Sequence, residues 1–439
     1  MLKNFLFCLL AILILDHPEL QGGDLRVGIA RVDITPAKSI WLAGYAARKE
    51  PAKGMTHPLW AKALVFEDKH GNRAAIVTTD LIGLTREISD AVGNRVAKKT
   101  GMTREQILLN SSHTHCGPVV RGCAALAYDL TDAQQNDVNQ YAKLLEDKLV
   151  NLIIQASQSM SDAMLAYGED QAKFALNRRG RYNPDGPVDH TVPVLRVCDE
   201  AGKTKAILFG YACHNTTIAL SQYCGDYAGF AQIALEKKYP GVTALFMIGC
   251  GGDANPHPRR TLALAEQHGN SLSDAVVRAM EKTMEPIKGP VKVKFQRTDL
   301  PFVDPPSKAE LLMRQGKGDV YLQRLTKYLL NQLDQQGAIK TSYPFPAQVI
   351  SFGNDLTLIG LGGEAVIDYS IRLHEEFSHR RIWVASYCNE VFAYIPSERV
   401  LKEGGYEGGG AMKYFGFHGP FQPGVEDRII KLIHKLMEP

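Results

Sequence analysis

Asn110-Ser111-Ser112-His113-Thr114-His115-Cys116-Gly117-Pro118 follows directly on the apolar run Ile107-Leu108-Leu109. A short apolar run bounded by polar residues has the length of a buried strand, and Gly117-Pro118 closes the segment with a turn. Residues two apart on an extended backbone point to one face, so His113 and His115 project together from a strand end. Imidazole is a common zinc ligand, which makes a His-x-His at a strand tip a candidate metal site. Alone, the pair is a low-specificity match, equally at home in a polar loop. It gains meaning only if the tips of other strands supply further ligands.

On both sides of this stretch strands and helices alternate. Apolar runs at 27–34, 61–66, 74–77, 192–197, 206–212, 243–248, 291–300, 356–361 and 382–386 read as strands. Helical periodicity covers 86–99, 131–157, 230–238, 262–282, 366–378 and 425–437, with Thr131 placed as an N-cap. A charged helical stretch at 307–336 is broken by Gly316-Lys317-Gly318. The pattern predicts an α/β protein with a layered, mixed and mainly buried sheet. No internal repeat or linker interrupts it, so residues 24–439 read as one catalytic domain.

Ligands in open α/β sheets bind beyond the carboxyl ends of the strands. Cys213-His214-Asn215 follows the strand at 206–212, and Gly249-Cys250-Gly251-Gly252-Asp253-Ala254-Asn255 follows that at 243–248. Gly362-Gly363-Glu364 follows 356–361, and Tyr387-Cys388-Asn389-Glu390 follows 382–386, leading to Tyr394. One such coincidence is noise, and His214 alone reads as a satisfied core histidine. Several, added to His113 and His115, favour a metal site at the strand ends. The glycines at 249–252 have neither the P-loop ending nor the dinucleotide spacing. His374-Glu375-Glu376-Phe377-Ser378-His379 carries one residue too many for the zinc-protease helix, and no Gly-x-Ser-x-Gly elbow occurs.

Composition bounds the class. The 439 residues are 45% hydrophobic and 22% charged with a formal net charge of +3, which is ordinary for a globular protein and gives no strong pull toward nucleic acid. Lys3 followed by an apolar run at 5–15 is too short to span a bilayer and reads as an export signal over residues 1–22, which predicts a secreted or periplasmic protein. Of the eight cysteines, Cys8 lies in that signal. Cys116 and Cys123 are spaced to close a short loop in an exported chain.

With these residues in place, the sequence resembles the catalytic N-terminal domain of neutral, non-lysosomal ceramidases, zinc-dependent hydrolases of the N-acylsphingosine amide. The resemblance runs from 27–36 to Tyr406-Glu407-Gly408-Gly409. Its most specific points are His113-Thr114-His115-Cys116-Gly117-Pro118, Gly363-Glu364, and the pair Tyr394 and Tyr406. It implies Zn2+ held by His113, His214, Glu364 and Tyr394, with His115 beside the metal, Arg178 in the active site and Tyr406 facing the reacting centre. A lipid substrate implies peripheral membrane contact.

There are departures. Asn255 stands where the family has serine, Cys116 where it usually has serine, and the family's C-terminal immunoglobulin-like domain is expected to be lacking. Asparagine forms no acyl-enzyme but does hydrogen-bond, so Asn255 is expected to orient substrate or water, with the 249–252 glycines letting backbone approach the ligand. Zinc chemistry needs no serine, because the metal activates water and polarises a carbonyl. The expectation is hydrolysis of an amide, with ceramide-type lipids leading. The alternatives are a same-fold hydrolase of another amide or ester, and a non-catalytic binding homologue.

Overall fold

The computed structural model describes residues 24–438, so the expected export signal lies outside the described residues. A nine-stranded mixed sheet runs in the order Ile107–Ser111, Arg73–Thr79, Trp60–Asp68, Leu25–Asp33, Ser161–Gln171, Thr191–Cys198, Thr204–Tyr211, Thr243–Ile248, with Glu285–Ile287 pairing on Ser161–Gln171. The outermost pair at each end is parallel and the interior pairs are antiparallel. A second, four-stranded sheet has the order Val291–Pro301, Ser342–Phe352, Leu356–Leu361, Ile382–Ala385.

Alternation along the strands explains how these elements stack. In Trp60–Asp68, Ala61, Ala63 and Val65 pack with Ile88, Val92 and Leu145 of the helices Arg86–Thr100 and Asp132–Gln158. Leu64 and Phe66 of the same strand pack with Ile350, Phe352 and Trp383 of the smaller sheet. The smaller sheet's other face, through Val349, Ile359 and Val384, meets Ile429 and Ile433 of helix Val425–Met437 and Leu373 of helix Asp368–Glu376. The result is four layers, helix, sheet, sheet, helix. Both sheets are covered on both faces, which is why so many strands read as continuous apolar runs rather than alternating ones.

Helix ends follow local chemistry. Thr131 caps Asp132–Gln158 through a reciprocal bond pair with Gln134, and Gly101 ends Arg86–Thr100 at φ 75°. The charged stretch at 307–336 resolves into two helices, Lys308–Arg314 and Val320–Gln336.

Besides several strands of two or three residues, two long ones escape the sequence reading. Ser161–Gln171 alternates weakly and is flanked by polar residues. Ser342–Phe352 carries Pro344 and Pro346, which argue against a central strand. The sheet accommodates them because pairing to Leu356–Leu361 covers only Ala347–Phe352, leaving both prolines on a stretch paired on one side. A correction also concerns the cysteines. Cys116 and Cys123 do not form the expected disulfide: all seven cysteines of the described residues are free and buried. No helix among the described residues is long and apolar enough to cross a membrane.

Candidate active site

The loops that leave both sheets meet at one point. His113 lies two residues past Ile107–Ser111, and His214 three past Thr204–Tyr211, both strands of the larger sheet. Glu364 lies three past Leu356–Leu361 of the smaller sheet, and its two-residue strand pairs in parallel with Tyr394–Ile395, setting Glu364 opposite Tyr394. Asn110 ties the layers beneath: its Oδ1 accepts the Ile248 N–H at 3.1 Å and its Nδ2 donates to the Ser386 carbonyl at 2.7 Å.

The hydrogen bonds fix the ring tautomers. His113 Nδ1 faces the Ile82 carbonyl and His214 Nδ1 the Gly251 carbonyl, each at 2.6 Å. A carbonyl only accepts, so each Nδ1 carries a proton, and the neutral tautomer this selects has a bare Nε2 turned to the cluster. Those two atoms lie 3.1 and 3.2 Å from Glu364 Oε2, and no hydrogen-bond donor satisfies that oxygen. Tyr394 Oη is 3.0 Å from His214 Nε2, and His115 Nε2 is 3.2 Å from His113 Nε2. The Tyr394 hydroxyl is placed to donate to His214 Nε2, and His115 Nε2 stands at hydrogen-bond distance from His113 Nε2, but Glu364 Oε2 faces both nitrogens with no donor of its own, an arrangement that costs free energy unless a cation sits among them. His113, His115 and His214 offer ring nitrogens all within 4.8 Å of one another. The donor set of nitrogen, carboxylate and phenol suits a divalent metal such as zinc.

The charges agree with this. Burial, and then the Arg178 charge, pushes the His214 imidazole down to about 4, and burial with the neighbouring His113 and His214 holds His115 well below its usual value. Burial alone would raise the Glu364 carboxyl, but the facing His113 and His214 outweigh it and keep it low. Arg178 stays charged: burial works against it, and Tyr394 and Glu407 more than compensate. Imidazoles that give up a proton readily, as at His214 and His115, beside an ionised carboxylate at Glu364 suit metal binding, which needs deprotonated ligands.

The remaining expected residues fall at increasing distance from this cluster. Arg178 Nε donates to Glu407 at 2.7 Å and Nη2 to the Gly252 carbonyl at 2.9 Å, while its guanidinium stands over the Tyr394 and Tyr406 rings. Tyr406 packs edge-on against Tyr394 with centroids 5.2 Å apart. Asn255 Oδ1 accepts the Thr216 hydroxyl at 3.1 Å and reaches Arg178 Nη1 at 3.5 Å, so its amide oxygen is engaged by the protein and bears on Arg178. The glycines at 249–252 do not open the backbone to a ligand as expected. A Cβ at Gly251 would lie 2.7 Å from the Cys213 nitrogen and one at Gly252 2.6 Å from the Glu364 carbonyl oxygen, so they let the His214 and Glu364 segments pack backbone to backbone.

Sequence reasoning placed Tyr387 at a strand tip but gave it no role; its ring lies 4.5 Å from that of His113 and its Oη is 3.5 Å from His214 Nδ1. Its left-handed φ of 55°, like the 61° of His113, leaves no mark in sequence. Glu407 did have a signal, standing directly beside Tyr406. Gly44 is a further silent contributor: at φ 89° it lies against the His115 ring, and any Cβ there would collide with it.

A cavity of about 230 Å³ opens on the cluster. His113, His115, Glu364, Tyr394 and Tyr406 stand on one side, and Ile82, Val391, Ala127, Tyr128 and Phe415 make the rest largely apolar.

Fold and site together define a layered α/β protein with a buried, metal-competent centre under an apolar cavity. Residues 25–283 match the family described as neutral/alkaline non-lysosomal ceramidase, N-terminal, and the chain belongs to that family. Neutral ceramidase A of Dictyostelium discoideum is 27% identical over 274 residues, 56% of this chain and 38% of that protein. The neutral ceramidase of Pseudomonas aeruginosa is 26% identical over 252 residues, 53% of this chain and 37% of that protein. The chain thus spans under two fifths of the length of either relative. The crystal structure of neutral ceramidase from Pseudomonas aeruginosa superposes with a TM-score of 0.75 at 19% identity, covering 95% of this chain and 76% of that one. A ceramidase complexed with C2 gives 0.73 at 20% identity, covering 94% and 76%. These two likenesses concern the fold.

Proposed function

We propose that this chain is a zinc-dependent amidohydrolase that cleaves an N-acyl lipid of the ceramide type into a sphingoid base and a fatty acid. The observation that carries the reading is the convergence of bare His113 Nε2, bare His214 Nε2 and unpaired Glu364 Oε2 beneath an apolar cavity. His113, His214, Glu364 and Tyr394 would hold the metal. Zinc in such a set activates water and polarises a carbonyl as a Lewis acid.

The chain's own residues divide the rest of the work. His115 turns Nε2 to the cluster and lines the cavity, a placement suited to holding or passing a proton at the scissile amide. Arg178 places permanent positive charge beside Tyr394 and Tyr406, where negative charge develops on the carbonyl oxygen of an acyl transfer. Tyr406, 45% exposed, offers its hydroxyl from the rim, and Asn255 positions Arg178. At about 230 Å³ the cavity is smaller than the ~300 Å³ of an ordinary small-molecule site, so it encloses the amide and the start of the chains and leaves the remainder of a lipid at the mouth. The basic start and short apolar run at 1–22 support export, and intact mass of the secreted protein tests this.

The test of the activity is turnover on a panel of fluorogenic N-acyl amines, with metal content measured by mass spectrometry before and after chelation. Activity should vanish with the metal, return with Zn2+, and be absent together with bound metal in His113→Ala. Full activity in that variant, or capture of a covalent acyl-enzyme, would defeat the proposal.

A further inference from the structure

Helices Lys308–Arg314 and Val320–Gln336 form a hairpin whose second helix packs on Ala125–Ala127 and Met412–Phe415, two segments that contribute to the cavity wall. Leu311, Leu325, Leu329 and Ile339 fasten it inward, and Arg324 Nη1 donates to the carbonyls of Leu126 and Ala127 at 3.4 Å each, Ala127 being part of the cavity wall. A row of rings continues from the cluster to the hairpin: Tyr394 to Tyr406 at 5.2 Å, Tyr406 to Tyr414 at 6.1 Å, and Tyr414 to Tyr321 at 5.0 Å between centroids. The hairpin's turn and its flanks face solvent with large apolar side chains, Leu312 at 52%, Met313 at 62%, Val320 at 48% and Leu322 at 42% exposure. Single exposed apolar residues are ordinary, but several collected in one short stretch mark an interaction surface. Arg314 and Lys317 lie among them and Lys327 follows on the second helix; none of the three forms an ion pair among the described residues, whereas Arg324 pairs with Asp129 and Lys413 with Asp319.

We propose that this hairpin docks the protein on an anionic lipid bilayer. Leu312, Met313, Val320 and Leu322 enter the headgroup–acyl boundary, while Arg314, Lys317 and Lys327 meet lipid phosphates. The occupant follows from charge complementarity and from continuity with the site: unpaired cations among apolar side chains match an anionic membrane surface, and the tyrosine row leads from that surface to the cluster. The inference rests on the proposed lipid substrate for its purpose, but its own measurement is independent of turnover.

The zinc-loaded full chain is mixed with vesicles of phosphatidylcholine alone and of phosphatidylcholine with phosphatidylglycerol, and bound protein is measured by flotation. The parent should bind the anionic vesicles and release in high salt. Arg314→Glu with Lys317→Glu should weaken binding by about 25-fold or more, at roughly fivefold per cation lost near the surface. Leu312→Ser with Met313→Ser should weaken binding to both vesicle types. Both variants should keep parental turnover of a water-soluble N-acyl amine while losing turnover of vesicle-borne substrate. A parent that does not bind anionic vesicles, or variants that bind undiminished, overturn the docking surface. So does a variant that changes oligomeric state in place of vesicle partition, since a second copy would then be the occupant. Hairpin-dependent vesicle binding with no amide turnover by the parent would support the docking surface and defeat the proposed activity.

Discussion

Glu364→Gln tests the metal centre by its opposite effects in the presence and absence of the ion. Glu364 is 3% exposed, and its Oε2 faces the bare Nε2 atoms of His113 and His214 at 3.1 and 3.2 Å with no donor to satisfy it. In the metal-free protein a glutamine amide would aim N–H groups at those nitrogens, turning a contact between acceptors into hydrogen bonds. An unsatisfied buried polar group costs about 1–3 kcal/mol, so the metal-free variant should be more stable than the metal-free parent by that amount. With an unfolding entropy of ~2.1 cal/mol/K per residue, a chain of 439 residues shifts its Tm by about 1 °C per kcal/mol, giving a rise of about 1–3 °C. Loaded with Zn2+ at ~1,000-fold over Kd, the parent gains about 4.1 kcal/mol. The variant, lacking the carboxylate ligand, gains much less, and the order of the two melting temperatures reverses. Differential scanning calorimetry in chelator and in excess Zn2+ reads both. A variant less stable than the parent in chelator, or equal stabilisation of both by zinc, would refute the reasoning.

Arg178→Lys keeps the charge but loses the fork that joins Glu407 and the Gly252 carbonyl; turnover should fall about 10²-fold at unchanged zinc content, compared by kcat and metal analysis. Asn255→Ala removes the acceptor shared by Thr216 and Arg178 and should lower kcat without abolishing it, whereas complete loss at full zinc occupancy would give Asn255 a direct chemical role. Burial pushes the Asp226 carboxyl up to about 6, above the ~3.9 of an exposed aspartate, so the folded chain keeps a proton the unfolded chain has released. Its contribution is therefore full below pH ~4 and falls by about 3 kcal/mol as pH rises through ~6; urea titrations across this range should show a smaller slope in Asp226→Asn.

Much of the site was legible because its residues follow strand tips, and tips are marked by apolar runs ending in Gly, Asn or His. His113, His214 and Glu364 all stand two or three residues past such a run. Helix boundaries were legible where a cap carried them, as at Thr131 and Gly101. What escaped was set by tertiary context. Ser342–Phe352 hides behind two prolines that are tolerated only because the neighbouring strand is shorter. The glycines at 249–252 suggested room for a ligand, but only the folded backbone shows that the room is filled by the Cys213 and Glu364 segments. Asn255 was expected to face substrate, and its contact with Arg178 is a matter of long-range pairing between Ala254–Pro256 and Ala175–Asn177. Tyr387 reaches the cluster through a backbone conformation that no local pattern encodes.

The centre is best understood as a product of sheet docking. His113 and His214 come from the larger sheet, Glu364 and Tyr394 from segments that follow the smaller one. The larger sheet supplies His113, His115 and His214, and the smaller one adds Glu364 and Tyr394, so a cation held by the full set would link the two layers directly. The protein already invests in that junction. His113, Tyr387 and Asn389 adopt left-handed backbone at φ 61°, 55° and 65°, each costing about 1–3 kcal/mol. Bonds across the layers offset that cost: the Asn389 N–H to the Leu109 carbonyl at 2.6 Å, the Ser386 N–H to the Ile248 carbonyl at 3.1 Å, and the Asn110 amide to the Ser386 carbonyl. His113, Tyr387 and Asn389 aim side chains at, or brace, the cluster, while Ala124, Asp226 and Arg260 adopt the same conformation elsewhere in the chain. Because the same contacts hold the sheets together and set the distances between ligand atoms, metal affinity and sheet docking are thermodynamically linked. A change that loosens the interface weakens the metal site even where it touches no ligand, and a bound metal in turn resists the separation of the sheets.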